Sequence, residues 1–190
     1  MDGKEGRSGK PADDGGTAFR LPGLAPDARA VISGGQTGVD RAALDAALKV
    51  RLPASGWCPR GRLSEEGPIP ARYPLQETPS AEYGQRTAWN VQASDGTLLC
   101  CQGPPGGGTA LTWELAIRSG KPLFIVDLDQ APPAASVWCW LQEMRIRVLN
   151  VAGPRESQRP GIYRAAFVYL CEVLEGWRNL PDQHIENAGC

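Results

Sequence analysis

Two glycine-rich segments have the residue types and the spacing that suit the binding of a small anion. Residues 34–38 read GGQTG and residues 103–109 read GPPGGGT, and each follows an apolar run and precedes a helical pattern. Glycine allows close approach of the backbone to a ligand, and the first N–H groups of a helix carry partial positive charge. The segments therefore predict a site for a phosphate-bearing, nucleotide-like molecule. Neither segment matches the P-loop or the GxGxxG dinucleotide motif.

The candidate binding residues lie in these two segments and on neighbouring basic positions. Within the segments they are Gly34, Gly35, Gln36, Thr37, Gly38, Gly106, Gly107, Gly108 and Thr109. Arg41 falls in the first turn of the following helix, where it is either a phosphate partner or part of a surface charge ladder with Asp45 and Lys49. Arg60, close to Arg62, adds positive charge to a long loop that could fold over a ligand as a lid.

Two carboxylates, Asp40 and Glu114, are candidate catalytic groups. Asp40 opens the first helix and fits a capping box with Thr37, so a structural role competes with a contact to ligand or metal. Glu114 lies one turn beyond the second segment and would act as a general acid or base, or accept a bond from a ribose hydroxyl. The competing interpretation of Glu114 is an exposed helix carboxylate. Because the sole histidine, His184, lies near the C-terminus, no nucleophile–histidine pair is expected, and catalysis is left open.

Composition excludes several classes of protein. The 190 residues include 20 Lys and Arg and 21 Asp and Glu, and a net charge of -1 argues against binding that depends on many nucleic-acid phosphates. No stretch approaches the roughly 20 apolar residues of a membrane span, and the N-terminus lacks an apolar signal segment. The six cysteines form no CxxC pair, which indicates free thiols and no metal site. We expect a cytoplasmic protein with a small anionic ligand, no nucleic-acid or membrane partner, and homo-oligomerisation as an open option.

Short apolar runs alternate with helical patterns along most of the chain, which is typical of βαβ units. Strands are expected at 30–33, 53–57, 97–101, 123–126 and 146–151, and helices at 39–49, 79–92, 110–119, 137–144 and 162–177. The pattern predicts an α/β fold, a three-layer Rossmann-like domain with a mostly parallel sheet of about five or more strands. The domain should span residues 28–178, between a disordered tail over 1–27 and a short tail over 179–190.

Residues 58–76 are expected to form one long loop. They contain four prolines and two glycines, and loops of this length inside a compact domain are often functional. Thr78, followed by Pro79, predicts the N-cap of the next helix.

Several motifs, in order, resemble the family called "putative molybdenum carrier", also known as the circularly permuted YpsA family. They are residues 32–45 (ISGGQTGVDRAALD), 56–62 (GWCPRGR), 67–75 (GPIPARYPL), 86–87 with 90–91 (RT and NV), 94–97 (SDGT), 108–112 (GTALT), 149–157 (LNVAGPRES) and 160–163 (PGIY). Together they span about residues 30–175. The resemblance implies a Rossmann-like fold of the SLOG superfamily and a bound molybdenum cofactor or nucleotide-derived ligand.

The resemblance also adds Asn150, Gly153, Arg155 and Glu156 to the candidate binding residues. We expect them to follow the last strand at the same edge of the sheet as the glycine-rich segments. Arg155 could bind an anion through two parallel N–H donors. The competing interpretation is a surface loop with a local Arg–Glu pair.

The same superfamily contains the LOG enzymes, which cleave cytokinin riboside monophosphates and carry the motif PGGxGTxxE. Here residues 105–109 read PGGGT, one residue short of that spacing, and Glu114 follows Thr109 by five positions rather than three. The alternative function is therefore a LOG-like hydrolase that cleaves an N-glycosidic or phosphate bond.

Overall fold

The computed structural model describes residues 28–181. The tail predicted over residues 1–27 and the C-terminal tail from residue 182 onward lie outside the described residues. Among residues 28–181, no helix is long and apolar enough to cross a membrane.

Strands and helices alternate along the described chain. The strands are β1 (Ala30–Ile32), β2 (Ala54–Ser55), β3 (Trp57–Cys58), β4 (Leu63–Ser64), β5 (Gly67–Pro68), β6 (Gln76–Glu77), β7 (Gly96–Cys101), β8 (Leu123–Asp127) and β9 (Val148–Ala152). The helices are α1 (Val39–Lys49), α2 (Tyr83–Ala93), α3 (Gly107–Arg118), α4 (Ala134–Glu143) and α5 (Ile162–Asn179), with a 3₁₀ turn at Leu128–Gln130.

Five of these strands form a parallel sheet in the order β2-β1-β9-β7-β8. On one face α5 packs against α1 and α4, and elsewhere α2 packs against α3. Val31 lies in the core cluster of α1 and α5, whereas Ile32 packs with Ala93 of α2. Because successive strand residues point to opposite faces, helices cover both sides of the sheet. The predicted three-layer, Rossmann-like α/β fold is confirmed.

Burial on both faces explains why the strands read as continuous apolar runs rather than as alternating ones. Every residue of β7 is buried, although its sequence is only GTLLCC. The small side chains of α1 let that helix lie close to the sheet, and Ala42, Ala43, Ala46 and Ala47 are all fully buried.

The prediction of one long loop over residues 58–76 is wrong, because short strands pair within it. Trp57 pairs with Gln76 in a parallel ladder between β3 and β6, and β4 and β5 form a small antiparallel hairpin. The backbone N–H of Thr78 continues this ladder by donating to the Cys58 carbonyl, 2.8 Å away. The expectation that Thr78 is the N-cap is wrong, because α2 begins only at Tyr83 and its N-cap is Glu82.

Two helices begin three residues earlier than expected. Helix α3 starts at Gly107 and α4 at Ala134, rather than at Ala110 and Val137. Because glycine is a poor helix former, helix propensity placed the glycines of the second segment before the helix. The first turn of a helix has few of the hydrogen bonds found in its interior, so glycines can form it.

A methyl group at Gly153 should destabilise the fold, because it would lie 2.1 Å from the Cys100 carbonyl oxygen and 2.6 Å from a methyl carbon of Val39. We expect Gly153→Ala to lower the free energy of unfolding by about 2 kcal/mol or more, measured by urea denaturation. The control is Gly84→Ala in α2, where the nearest atom is 4.0 Å away. It should stabilise by up to about 1 kcal/mol, and equal effects of the two changes would contradict the close approach at Gly153.

Candidate functional site

Three loops converge at the carboxyl edge of the sheet. The glycine-rich segments follow β1 and β7, and β9 lies between those strands, so the loop after β9 runs between the two segments. At Gly38 a side chain would meet the Pro154 carbonyl oxygen at 2.4 Å. At Gly107 it would meet the Gln158 side-chain nitrogen at 3.4 Å. In a parallel sheet this edge is where ligands usually bind.

In the first segment, the protein's own atoms fill the space that the glycines leave. A Cβ on Gly34 would lie 1.9 Å from Nη1 of Arg86, and one on Gly35 would lie 2.4 Å from a methyl group of Leu75. The first N–H of α1, at Val39, donates to the Pro154 carbonyl oxygen at 3.2 Å. Close packing within the protein therefore accounts for glycine at these positions.

The second segment is open. No atom lies within 4 Å of a Cβ built on Gly103, Gly106 or Gly108, and α3 starts within this stretch. Thr109 is 2% exposed, and its hydroxyl has no hydrogen-bond partner among the described residues. The glycines at 106–108 are exposed, so their backbone is open to solvent and accessible to a ligand.

A buried ion pair joins the start of α1 to α2. Nη1 of Arg86 lies 3.2 Å from Oδ2 of Asp40, whose side chain is 3% exposed. The same oxygen accepts a bond from the backbone N–H of Gln36 at 3.3 Å. Burial raises the pKa of the Asp40 carboxyl above its usual range, while Arg86 and the Gln36 N–H act in the opposite direction. The capping-box prediction is wrong, because the N-cap is Gly38 and it makes no side-chain cap bond.

The hydroxyl of Thr37 takes part in a second polar cluster, which contains a carboxylate from the β4–β5 hairpin. Oε1 of Glu65 accepts bonds from the Thr37 hydroxyl and from the backbone N–H of Ser157, the latter at 3.2 Å. Oε2 accepts a bond from the Ser157 hydroxyl. Thr37 itself accepts the backbone N–H of Glu156 at 3.3 Å. We call Thr37, Arg155 and Ser157 the anion seat, because Thr37 and Ser157 donate to one carboxylate and the positive charge of Arg155 acts on the same group.

The electrostatics of the seat favour a charged occupant. Partial burial acts to raise the pKa of Glu65, but hydrogen bonds from Ser157 and Thr37 and the charge of Arg155 outweigh it and lower the pKa below its usual range. The Arg155 guanidinium also lies 4.7 Å from the centre of the Tyr83 ring, in cation–π contact. The half-buried arginine is thus held in place at the mouth of the site.

Arg41 does not join a charge ladder along α1, so that interpretation is wrong. Its Nη1 lies 2.6 Å from the Glu66 carboxylate and its Nη2 donates to the Ser64 hydroxyl at 2.9 Å. Arg41 therefore ties α1 to the β4–β5 hairpin, a contact between distant segments that helical spacing could not reveal.

Asn150 lies inside β9 rather than after it, because the strand continues to Ala152. It is 2% exposed and donates to the Thr97 hydroxyl at 3.2 Å, within the sheet. The Glu156 carboxylate accepts the backbone N–H groups of Gly161 at 2.5 Å and Tyr163 at 3.0 Å, at the start of α5. These side chains support the strands and helices around the seat, and neither is part of it.

The remaining candidates lie on the surface. The Glu114 carboxylate is 52% exposed and lies 3.9 Å from Arg118, one turn further along α3. Arg60 is exposed, and its backbone N–H donates to the Ser80 carbonyl at 3.0 Å. The structure thus brings Thr37 to the loop that carries Arg155 and leaves Glu114 and Arg60 outside the seat.

Sequence reasoning missed Glu65 and gave Arg86 and Ser157 no separate role. Glu65 lies in a proline-rich stretch without helical or strand periodicity, so no pattern pointed to it. Arg86 has a usable signal, because Asn90 follows it by four residues on the same face of α2. Asn90 accepts the Trp57 N–H at 2.8 Å and donates to its carbonyl at 3.0 Å, which fixes α2 against β3.

Comparisons with known proteins place this site in a family context. The model of the circularly permutated YpsA SLOG family matches residues 31–174. The chain is also similar to a crystal structure described as "Putative molybdenum carrier protein" from Syntrophus aciditrophicus SB, with 44% sequence identity and a TM-score of 0.73. That alignment covers 78% of this chain and 96% of the other. A comparison with curated proteins gave no match.

Removing the positive partner of Asp40 should make stability depend on pH. We expect Arg86→Met to lower the free energy of unfolding at pH 8 by about 3 kcal/mol, the typical cost of a buried charge left unpaired. The loss should be smaller at pH 5. The pKa of Asp40 is already raised in the folded protein and would rise further without Arg86. The protonated carboxyl is accommodated in the fold, so its contribution to stability is present at low pH. That contribution is lost as the pH rises through the folded-state pKa and the unpaired carboxylate ionises.

Urea unfolding at both pH values measures this difference. The control is Arg118→Met, which removes an arginine whose side chain is 77% exposed. It should change stability little at either pH. An equal loss at pH 5 and pH 8 in Arg86→Met would contradict a buried, titrating Asp40.

Proposed function

The chain belongs to the circularly permutated YpsA SLOG family, and from this premise we propose that it binds a phosphate-bearing small molecule at the carboxyl edge of the sheet. The ligand is the molybdenum cofactor or a nucleotide-derived molecule. The observation that carries the proposal is the anion seat, in which the donors of Thr37 and Ser157 converge on a carboxylate and Arg155 adds positive charge.

The donors of the seat suit a phosphate group as well as a carboxylate. Two hydroxyls and one backbone N–H converge on the oxygens of Glu65, with a guanidinium close enough to lower the pKa of that carboxyl. Hydrogen bonds to a charged acceptor are about twice as strong as neutral ones, and a phosphate offers more acceptor oxygens than a carboxylate. The seat is therefore the proposed position of the ligand's phosphate.

The rest of the ligand would extend over the second glycine-rich segment. This side of the edge is open at Gly106 and Gly108, and the loop after β9 reaches it through Gln158. The N–H groups of Thr109 and Ala110 donate to the Gly106 carbonyl, while those of Gly107 and Gly108 precede the first bond of the helix and add partial positive charge. The first segment supplies Thr37 to the seat, while the second supplies the space.

The family's named cofactor fits this arrangement through its phosphate. A molybdenum cofactor carries a pterin, a phosphate and a metal, and the seat offers donors to the phosphate. Residues 28–181 contain no group of His, Cys, Asp and Glu side chains that could hold a metal ion. We therefore propose that protein contacts are made to the organic part of the cofactor. A cytoplasmic location, where the free thiols stay reduced, completes the proposal.

The contacts favour binding over LOG-like hydrolysis. Hydrolysis would place Glu114 or Asp40 at the reacting bond. The Glu114 carboxylate is exposed on α3, and the Asp40 carboxylate is directed at Arg86 and the Gln36 N–H. Asp40 is already paired, and the contact that Glu114 makes within the described residues is an exposed pair with Arg118, so neither carboxylate is held as a free acid or base.

The proposal predicts that a loss of charge or of space at the edge will weaken binding. GMP is a suitable probe, because its guanine shares the aminopyrimidinone ring of a pterin and its phosphate is a monoester. We expect Arg155→Met to weaken GMP binding about tenfold or more in calorimetry, by removing a charged donor. Gly108→Leu should also block binding while the protein stays folded, since nothing lies within 4 Å of that Cβ.

Arg118→Met is the matched control and should bind GMP like the unmodified protein. Native mass spectrometry of protein purified gently from its host extends the test to ligands other than GMP. A co-purifying pterin or nucleotide that disappears in Arg155→Met would support the proposal. A co-purifying ligand that both edge variants retain in full would rule out this edge as the binding site.

A further inference from the structure

The residue that fills the anion seat comes from the tip of a small hairpin. Strands β4 and β5 pair Leu63 with Pro68 and Ser64 with Gly67, which leaves Glu65 and Glu66 at the turn. Both glutamates are exposed as whole residues. We call residues 64–67 the hairpin tip.

The base of this hairpin is anchored firmly. The Arg62 guanidinium donates to the carbonyl groups of Ile69, Pro70, Tyr73 and Leu75 at 2.9–3.1 Å. Ile69, Tyr73 and Leu75 are buried in a cluster with Leu44 and Cys58. The segment after the tip is therefore fixed to the core and cannot move without exposing apolar surface.

The tip itself is attached through polar contacts. Arg41 binds the Glu66 carboxylate and the Ser64 hydroxyl, and the backbone N–H of Glu65 donates to Oε1 of Gln36 at 3.0 Å. The neighbouring Leu63 is 41% exposed. Moving the tip therefore breaks hydrogen bonds that water can replace and opens no buried apolar cluster.

We propose that Glu65 is a built-in competitor for the anion seat, and that it makes the seat selective for phosphate monoesters over carboxylates. This inference rests on the proposed function and specifies its ligand class. In the free protein the Glu65 carboxylate bonds the Thr37 hydroxyl and both donors of Ser157. A ligand binds there by displacing the carboxylate and moving the hairpin tip.

Tethering explains the selectivity. A group attached by a short chain has an effective concentration of about 1 mM or more, so a free carboxylate of the same charge cannot displace it at lower concentrations. A phosphate monoester carries about -1.5 to -2 charges near neutral pH and three acceptor oxygens, so it makes stronger bonds to the same donors. The apparent affinity for any ligand equals the affinity of the open seat multiplied by the fraction of molecules in which the seat is open.

The test compares two neighbouring glutamates on the same tip. Inorganic phosphate and acetate are titrated at pH 7.5 into the unmodified protein, Glu65→Ala and Glu66→Ala. We expect Glu65→Ala to bind phosphate about tenfold more tightly, as follows if the seat is open in about a tenth of unmodified molecules. Glu65→Ala should also bind acetate, which the unmodified protein does not. Glu66→Ala removes the same charge outside the seat together with one contact of the tip, to Arg41. It leaves the competing carboxylate in place, so its gain in phosphate affinity should be well below that of Glu65→Ala, and it should not bind acetate.

Hydrogen exchange supplies a second measurement. If Glu65 had a purely structural role, phosphate would not speed exchange at the hairpin tip. Phosphate should speed exchange at the Glu65 N–H of the unmodified protein, because displacement of the tip breaks its bond to Gln36. Ligands usually slow exchange at the site that they occupy, so an increase is diagnostic.

The outcomes separate this inference from the proposed function. If the unmodified protein and Glu65→Ala bind phosphate equally, or if both glutamate variants gain equally, the competitor role is wrong while the seat stands. Slower exchange at the tip on adding phosphate would also overturn it. If neither the unmodified protein nor Glu65→Ala binds phosphate, the seat is not an anion site and both proposals fail.

Discussion

The close approach of the loop after β9 to the first glycine-rich segment is the constraint on which the candidate site depends. Any side chain at Gly38 would collide with the backbone of Pro154 and Glu156, and one at Gly153 would collide with β7 and α1. This approach sets the Thr37 hydroxyl beside the backbone of residues 156 and 157, which are far from it in sequence. Without these glycines the donors of the anion seat would be separated, whatever their own side chains.

The protein satisfies much of the positive potential at this edge with its own carboxylates. Asp40 accepts the N–H before α1 and pairs with Arg86, Glu65 lies in the seat, and Glu156 bonds the N–H groups at the start of α5. Backbone N–H groups buried at the ends of helices need hydrogen-bond acceptors. In a site built on helix termini, the acceptors come from the protein, from water or from a ligand. Asp40 and Glu156 belong to the support of the fold, since each is bonded to its own helix start. Glu65 differs because it comes from an exposed hairpin tip.

The two glycine-rich segments look alike in sequence and differ in what surrounds them. Glycine in the first segment leaves room for Arg86, Leu75 and the loop after β9. In the second segment the space beside the glycines is open. Residue type alone cannot separate these cases, because the absence of a side chain is equally required for close packing and for ligand access. Only the neighbours of each glycine show that the first segment contributes a hydroxyl and the second contributes space.

The sequence by itself determined the α/β fold, the parallel sheet and the family, because apolar runs, helical spacing and long motifs are local signals that need no partner. It also placed both glycine-rich segments after strands, and the rule for parallel sheets then puts them at one edge. Tertiary structure alone decided the partners of Arg41, the hydrogen bond of Asn150 to Thr97 and the arrival of Glu65 at the seat. Those contacts join residues up to 92 positions apart in sequence, and their geometry follows only from how the helices, strands and loops pack.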